Sequence, residues 1–161
     1  MNEGFRLLSA LLLVIIANVA PWAAGRWLRG WWAAPLDGRA TLADGTRVLG
    51  DHKTWRGLVA GALACGIVAR LLGHTVLLGI AFGILSLTAD ALSSFVKRRF
   101  RLGPGTEIPG LDQLPEALLP LIILSGPLGI GFFGSLFVSV VFLLLDLATM
   151  RLRHPQDLKK P

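Results

Sequence analysis

The stretch Thr88–Gln113, TADALSSFVKRRFRLGPGTEIPGLDQ, decides how this chain is read. It begins inside an apolar run, where a charged side chain such as Asp90 is costly to place. It leaves that run through Lys97, Arg98, Arg99 and Arg101, passes Gly103, Pro104, Gly105 and Pro109, and reaches a second acid, Asp112. An apolar segment that ends in a cationic cluster reads as a membrane helix whose exit lies on the cytoplasmic side. A buried acid, a basic exit and a Gly/Pro-rich loop closing on another acid read as a site.

The rest of the chain supports a membrane setting. Of 161 residues, 53% are hydrophobic and only 16% charged, and the apolar ones come in blocks, too much hydrocarbon to expose to water. Tyr is absent, while Trp22, Trp27, Trp31 and Trp32 cluster just after the first block, with Trp55 following, as in a headgroup-level aromatic belt. The single Cys65 excludes an intramolecular disulfide and reads as a packed small hydrophobe. The net charge of +6 in such a chain reports topology and anionic headgroups rather than nucleic acid.

The blocks predict an all-α integral membrane protein, a single membrane domain over residues 1–161 with about five transmembrane helices at 7–24, 57–72, 75–96, 110–127 and 130–150. The first block, LLSALLLVIIANVAPWAA, lacks the charged start and cleavage site of a removable signal and reads as a retained helix. The fourth carries Pro115 and Pro120 and is the weakest span. Lys and Arg fall on alternate connections: 14 of 16 follow the first, third and fifth blocks, leaving only Arg6 and Arg70 on the other side. This places the N-terminus outside, and loops 25–56 and 97–109 and the tail 151–161 in the cytoplasm of a multi-pass cell-membrane protein. Asn18, Asp90 and Asp146 are then the polar residues most costly to bury, each toward the cytoplasmic end of its span. Helical period aligns Asp90, Ser94, Lys97 and Arg101 on one face, with Ser86 a turn earlier and Ser93 adjacent. Gly57, Gly61, Gly79 and Gly83 form small-xxx-small pairs suited to helix packing.

The first long loop contains DGTRVLGDHKTWRG from Asp44 to Gly57. A P-loop reading fails, because Asp51 and His52 intervene between Gly50 and Lys53-Thr54 and no buried strand precedes. Glycines that admit an anion to the backbone, with Lys53 and Arg56, still suit phosphate. A solvated basic loop that only satisfies topology is the plainer alternative. Asp37-Gly-Arg-Ala40 lacks the following Arg and spaced aspartates of the CDP-alcohol phosphotransferase signature. Asp90 and Asp112 could hold Mg2+, which takes one or two carboxylates and keeps waters. Otherwise Asp90 pairs with Lys97 or an arginine and Asp112 caps the fourth span. His52, His74 and His154 show no metal-ligand spacing.

Taken together, residues 44–61 (DGTRVLGDHKTWRGLVAG) and 90–114 (DALSSFVKRRFRLGPGTEIPGLDQL) resemble the paired signatures of the CDP-archaeol synthase family, which is related to the CDP-diacylglycerol synthases. Asn18 and Pro21 resemble the family's Asn-x-x-Pro element, so the likeness covers most of the chain. The chain departs at Ala89-Asp90, where the family usually has Gly-Asp, and in the Arg153-His-Pro155 ending.

The resemblance implies a Mg2+-dependent membrane cytidylyltransferase that converts CTP and a lipid glycerol phosphate into a CDP-lipid and pyrophosphate, facing the cytoplasm. It implies that Asp90 and Asp112 hold Mg2+, and that Lys53, Lys97, Arg98 and Arg99, with Asp90, carry catalysis. Asp44, Gly45, Gly50, Asp51, Thr54 and Trp55 would shape the nucleotide side, and Ser94 and Asn18 would also contact substrate. Isoprenoid-ether and fatty-acyl-ester lipids both remain open. A non-catalytic protein gripping anionic headgroups is the alternative from another class, and a transporter is disfavoured by the absence of repeats.

Overall fold

The computed structural model describes residues 2–100, 102, 108, 110 and 112–153, the last four by backbone alone. Arg101, Gly103, Pro104, Gly105, Pro109 and the tail from His154 lie outside the described residues. Among the described residues six helices follow in order: α1 Glu3–Leu28, α2 Trp55–Leu71, α3 Val76–Arg99, α4 Gln113–Ile123, α5 Ser125–Leu128 and α6 Gly131–Arg153. The helices start where the sequence supplies caps. Asn2 accepts the N–H of Phe5, Thr54 that of Gly57, and Thr75 that of Leu78.

Among the described residues, α1, α3 and α6 are long and apolar enough to cross a membrane, and α4 is a shorter apolar helix. The outward faces carry Ile67, Leu77, Leu92, Phe133 and Leu144, all exposed. Hydrocarbon on the outside of a closed helical bundle is the surface lipid requires. This is an all-α integral membrane protein. The fourth apolar block departs from its expected form as one helix. Pro127 has no N–H to donate to Ile123, so α4 stops at its C-cap Leu124 and the single turn α5 follows, ending on left-handed Gly129.

Small residues let the helices approach. A Cβ on Gly79 would lie 2.2 Å from the carbonyl oxygen of Cys65, and one on Gly83 2.8 Å from Ala62 Cα. These glycines seat α3 against α2, the packing role expected of the small-xxx-small pairs. Cys65 is fully buried there, its Sγ 3.6 Å from the Leu13 carbonyl of α1. Leu13, Val14, Phe82, Leu121 and Val138 fill the core where α1, α3, α4 and α6 meet.

The long loop between α1 and α2 is folded. Its two ends pair antiparallel, Leu36 N–H to the Lys53 carbonyl (2.7 Å) and Trp55 N–H to that of Ala34 (3.0 Å). Arg56, buried at the start of α2, donates to the carbonyls of Arg29 and Trp31 and so fixes the exit of α1. The site is built on that frame.

Candidate active site at the junction of loop and helices

Asp37 organises the loop. Its carboxylate accepts the N–H groups of Arg39 (3.0 Å), Leu49 (3.0 Å) and Gly50 (3.3 Å) and the Arg47 guanidinium (2.9 Å). Burial works against its charged form, yet these donors outweigh that cost and hold its pKa down to about 2. Arg47 also pairs with Asp51 at 2.8 Å. Gly50 sits at φ +106°, where an L side chain would be strained, and the Arg98 guanidinium lies 3.7 Å from where its Cβ would be. Asp44 accepts the N–H (3.0 Å) and hydroxyl (2.7 Å) of Thr46, bonds that keep its carboxyl below the ordinary range. Arg99 reaches both Asp44 (3.3 Å) and the Thr46 hydroxyl, tying this loop to the end of α3. The solvated-loop alternative does not describe such a structure.

Two lysine–carboxylate pairs stand at the junction. Lys53 of the loop is ion-paired with Asp90 of α3, and Lys97 of α3 with Asp112 at the start of α4, at 2.7 Å. All four side chains are largely buried. Asp112 does not cap α4 with its side chain; Oδ2 accepts the N–H of Ile108 instead. Behind it, Gln113 donates to Asp146 of α6 at 2.8 Å.

A cavity of about 540 Å³ opens beside the first pair, lined by Pro21, Trp22, Arg26, His52, Lys53 and Asp90. A second, of about 390 Å³, lies between Arg47, Gly50, Asp51, His52 and Arg98. Asp51 and His52 border both, so the segment carrying Lys53 is the wall between them. One chamber borders the ends of α1, α2 and α3; the other faces loop cations. The arrangement can neutralise a polyanion held between loop and helices.

The expected residues divide by what they do. Lys53, Asp90, Lys97, Asp112, Gly50, Asp51 and Arg98 come to this junction, whereas Asp44, Gly45 and Arg99 build the loop around it. Thr54 is spent as the cap of α2, and Trp55 is half exposed at its first turn. Asn18 donates to the Val14 carbonyl of its own helix (3.1 Å), and Ser94 is buried in the packed face of α3. The sequence patterns assign no role to Asp37, Gln113 or Glu116. A lone Glu in the apolar fourth block, four residues after Asp112, was the available signal for the last.

Fold and junction define a helical membrane protein with an ion-paired, phosphate-compatible centre where a folded loop meets its helices. The sequence model of the CarS-like CDP-archaeol synthase family matches residues 5–153, and the chain belongs to that family. A CDP-archaeol synthase of Aeropyrum pernix is 35% identical, over 96% of this chain and 91% of its own. Another, of Sulfolobus acidocaldarius, is 33% identical over 71% and 74%. A solved structure of an intramembrane enzyme for archaeal membrane lipids biosynthesis superposes with a TM-score of 0.68 at 31% identity, covering 88% of this chain and 90% of its own. The class is that of membrane nucleotidyltransferases of lipid biosynthesis.

Proposed function

We propose that this chain transfers CMP from CTP to a lipid glycerol phosphate, yielding a CDP-lipid and pyrophosphate. The observation that carries the reading is the pair of largely buried lysine–aspartate bridges, the first of them lining the larger cavity. Each lysine is held by an acid that can release it to a phosphate. The attacking group is an oxygen of the lipid phosphate, already ionised at neutral pH, so no general base is required. Its new bond to the α-phosphorus forms as the α–β bridging bond breaks and pyrophosphate leaves. Lys53, Lys97 and Arg98 neutralise the charge gathered on these phosphates, and the site works by positioning and electrostatics.

Asp90 and Asp112 fit Mg2+ by donor chemistry: both are carboxylates, both partly accessible, and both countered by flexible ammonium groups. When bound, the ion would neutralise triphosphate oxygens and align them. The lysines' part is to move from carboxylate to phosphate, which would leave Asp90 and Asp112 open to hold the cation. The reading also holds five crossings, an outside N-terminus and a cytoplasmic site in the cell membrane. The alternation of cations and the Trp-rich exit of α1 support it. Family membership favours an archaeol-type ether lipid over a diacylglycerol-type ester.

The test supplies purified protein with CTP, Mg2+ and a panel of ether and ester lipid phosphates, and follows CDP-lipid and pyrophosphate together. Both products in equal amount are expected with an ether lipid phosphate. Pyrophosphate release independent of lipid, or no product with any acceptor, refutes the reading.

A further inference from the structure

We propose that Glu116 is a third acid of this centre, acting on the divalent cation through a water the ion retains. The inference rests on the cation reading above. Glu116 lies one helical turn beyond Asp112 on α4, so the two project from one face. Only 7% of it is exposed, and it has no hydrogen bond or ion pair with any described residue. The charges that act on its carboxyl are Asp90 of α3, Lys53 of the loop, Asp146 of α6 and Asp112 of its own helix. Its burial and its i, i+4 spacing from Asp112 turn it toward the centre from the α4 side. A structural acid buried this deeply is normally bonded to a cap, a cation or a backbone N–H. Among the described residues Glu116 has none of these.

Charge balance points the same way. Asp90 and Asp112 have Lys53 and Lys97 as counter-charges, whereas no described cation is ion-paired with Glu116 or Asp146. Gln113, the partner of Asp146, is neutral and supplies no charge. A divalent cation is the complement. Among the described residues no three acids stand close enough to ligate one ion together. Mg2+ keeps several of its waters, so a carboxylate one layer out can hold the hydrated ion without touching it.

The test is Mn2+ binding to the full chain in detergent without lipid acceptor, read from the paramagnetic resonance of free Mn2+ and so independent of turnover. Wild type is compared with Glu116→Gln, Glu116→Met and Asp90→Asn. Loss of an outer-sphere partner is expected to weaken Mn2+ about 10- to 100-fold in both Glu116 variants. Glu116→Met also removes a buried acid without a partner, so its cation-free unfolding temperature is expected to equal or exceed that of wild type. Binding within twofold of wild type in a folded Glu116 variant, while Asp90→Asn loses it, overturns the role of Glu116 and leaves the cation reading standing. Retained binding in Asp90→Asn, or none in wild type, overturns both. If both Glu116 variants unfold well below wild type, the acid is structural and the proposal is wrong.

Discussion

Replacing Asp37 by asparagine tests whether the first loop is a folded part of the centre or only a basic connection. Four donors converge on this carboxylate, and its side chain is 2% exposed. Asparagine keeps the shape but offers one carbonyl oxygen, so the donors shared between Oδ1 and Oδ2 cannot all be satisfied. The depression of its pKa from 3.8 to about 2 corresponds to about 2 kcal/mol in favour of the folded, charged form. Solvent at the loop surface reduces that to about 1–2 kcal/mol. The folded value lies below the unfolded one, so this contribution is complete above the ordinary carboxylate range and is lost as pH falls from 3.8 toward 2. At neutral pH the variant should therefore expose the Leu49 and Gly50 amides about 5- to 30-fold more often, with helix α3 unchanged. Amide hydrogen exchange measures this directly, and CTP affinity measured in parallel should fall with it. Wild-type exchange at Leu49 and Gly50 in the Asn variant would refute the reasoning. So would wild-type protection already lost at pH 5.

Asp90→Asn leaves Lys53 without its counter-charge and removes the proposed cation ligand, so CTP-dependent pyrophosphate release should drop at least about 100-fold with helix content unchanged; near-normal turnover would sink the assignment. Gly79→Ala places a methyl 2.2 Å from the Cys65 carbonyl and 2.6 Å from Ala69 Cβ, where backbone must move. It should cost about 1–3 kcal/mol or more, read as a lower unfolding temperature in detergent. Arg56→Met strands the carbonyls of Arg29 and Trp31 at the end of α1 and should cost about 2–3 kcal/mol. Faster proteolysis between Gly30 and Ala34 is the corresponding readout.

What was legible in the sequence follows from the range of each interaction. Apolar blocks and cation alternation are properties of contiguous residues, and they pointed to the helical membrane class and to the junction of the two basic loops. Asp90 stood out because a charged group inside hydrocarbon is costly, and Lys53, Lys97 and Asp112 stood out through the loop motifs around them. Their pairing was not recognisable, since it joins the loop to α3 and α3 to α4 across folded distance. The break after α4 was hidden because Pro127 acts on a bond to Ile123 only once the helix has been built that far. Asp37 was dismissed for failing a linear signature, although its partners come from 2, 10, 12 and 13 residues away and form no contiguous pattern.

The division of labour between loop and helix has a physical reason. An acid within a packed helical bundle is held in place, but its charge is costly unless a cation stays near. A lysine on the Asp37-organised loop supplies that cation to Asp90 from outside, and a second on α3 supplies it to Asp112. Both long side chains can turn toward an arriving polyanion without moving a helix. Fixed donors would serve less well: Arg99 is already bound to Asp44 and Thr46, and Arg47 to Asp37 and Asp51. These two arginines therefore set the shape of the loop, and under the proposed function the lysines are the groups that exchange partners. That assignment accounts for why Lys53 lies in the wall between the two cavities, and it predicts that arginine at position 53 would hold Asp90 too firmly to substitute for it.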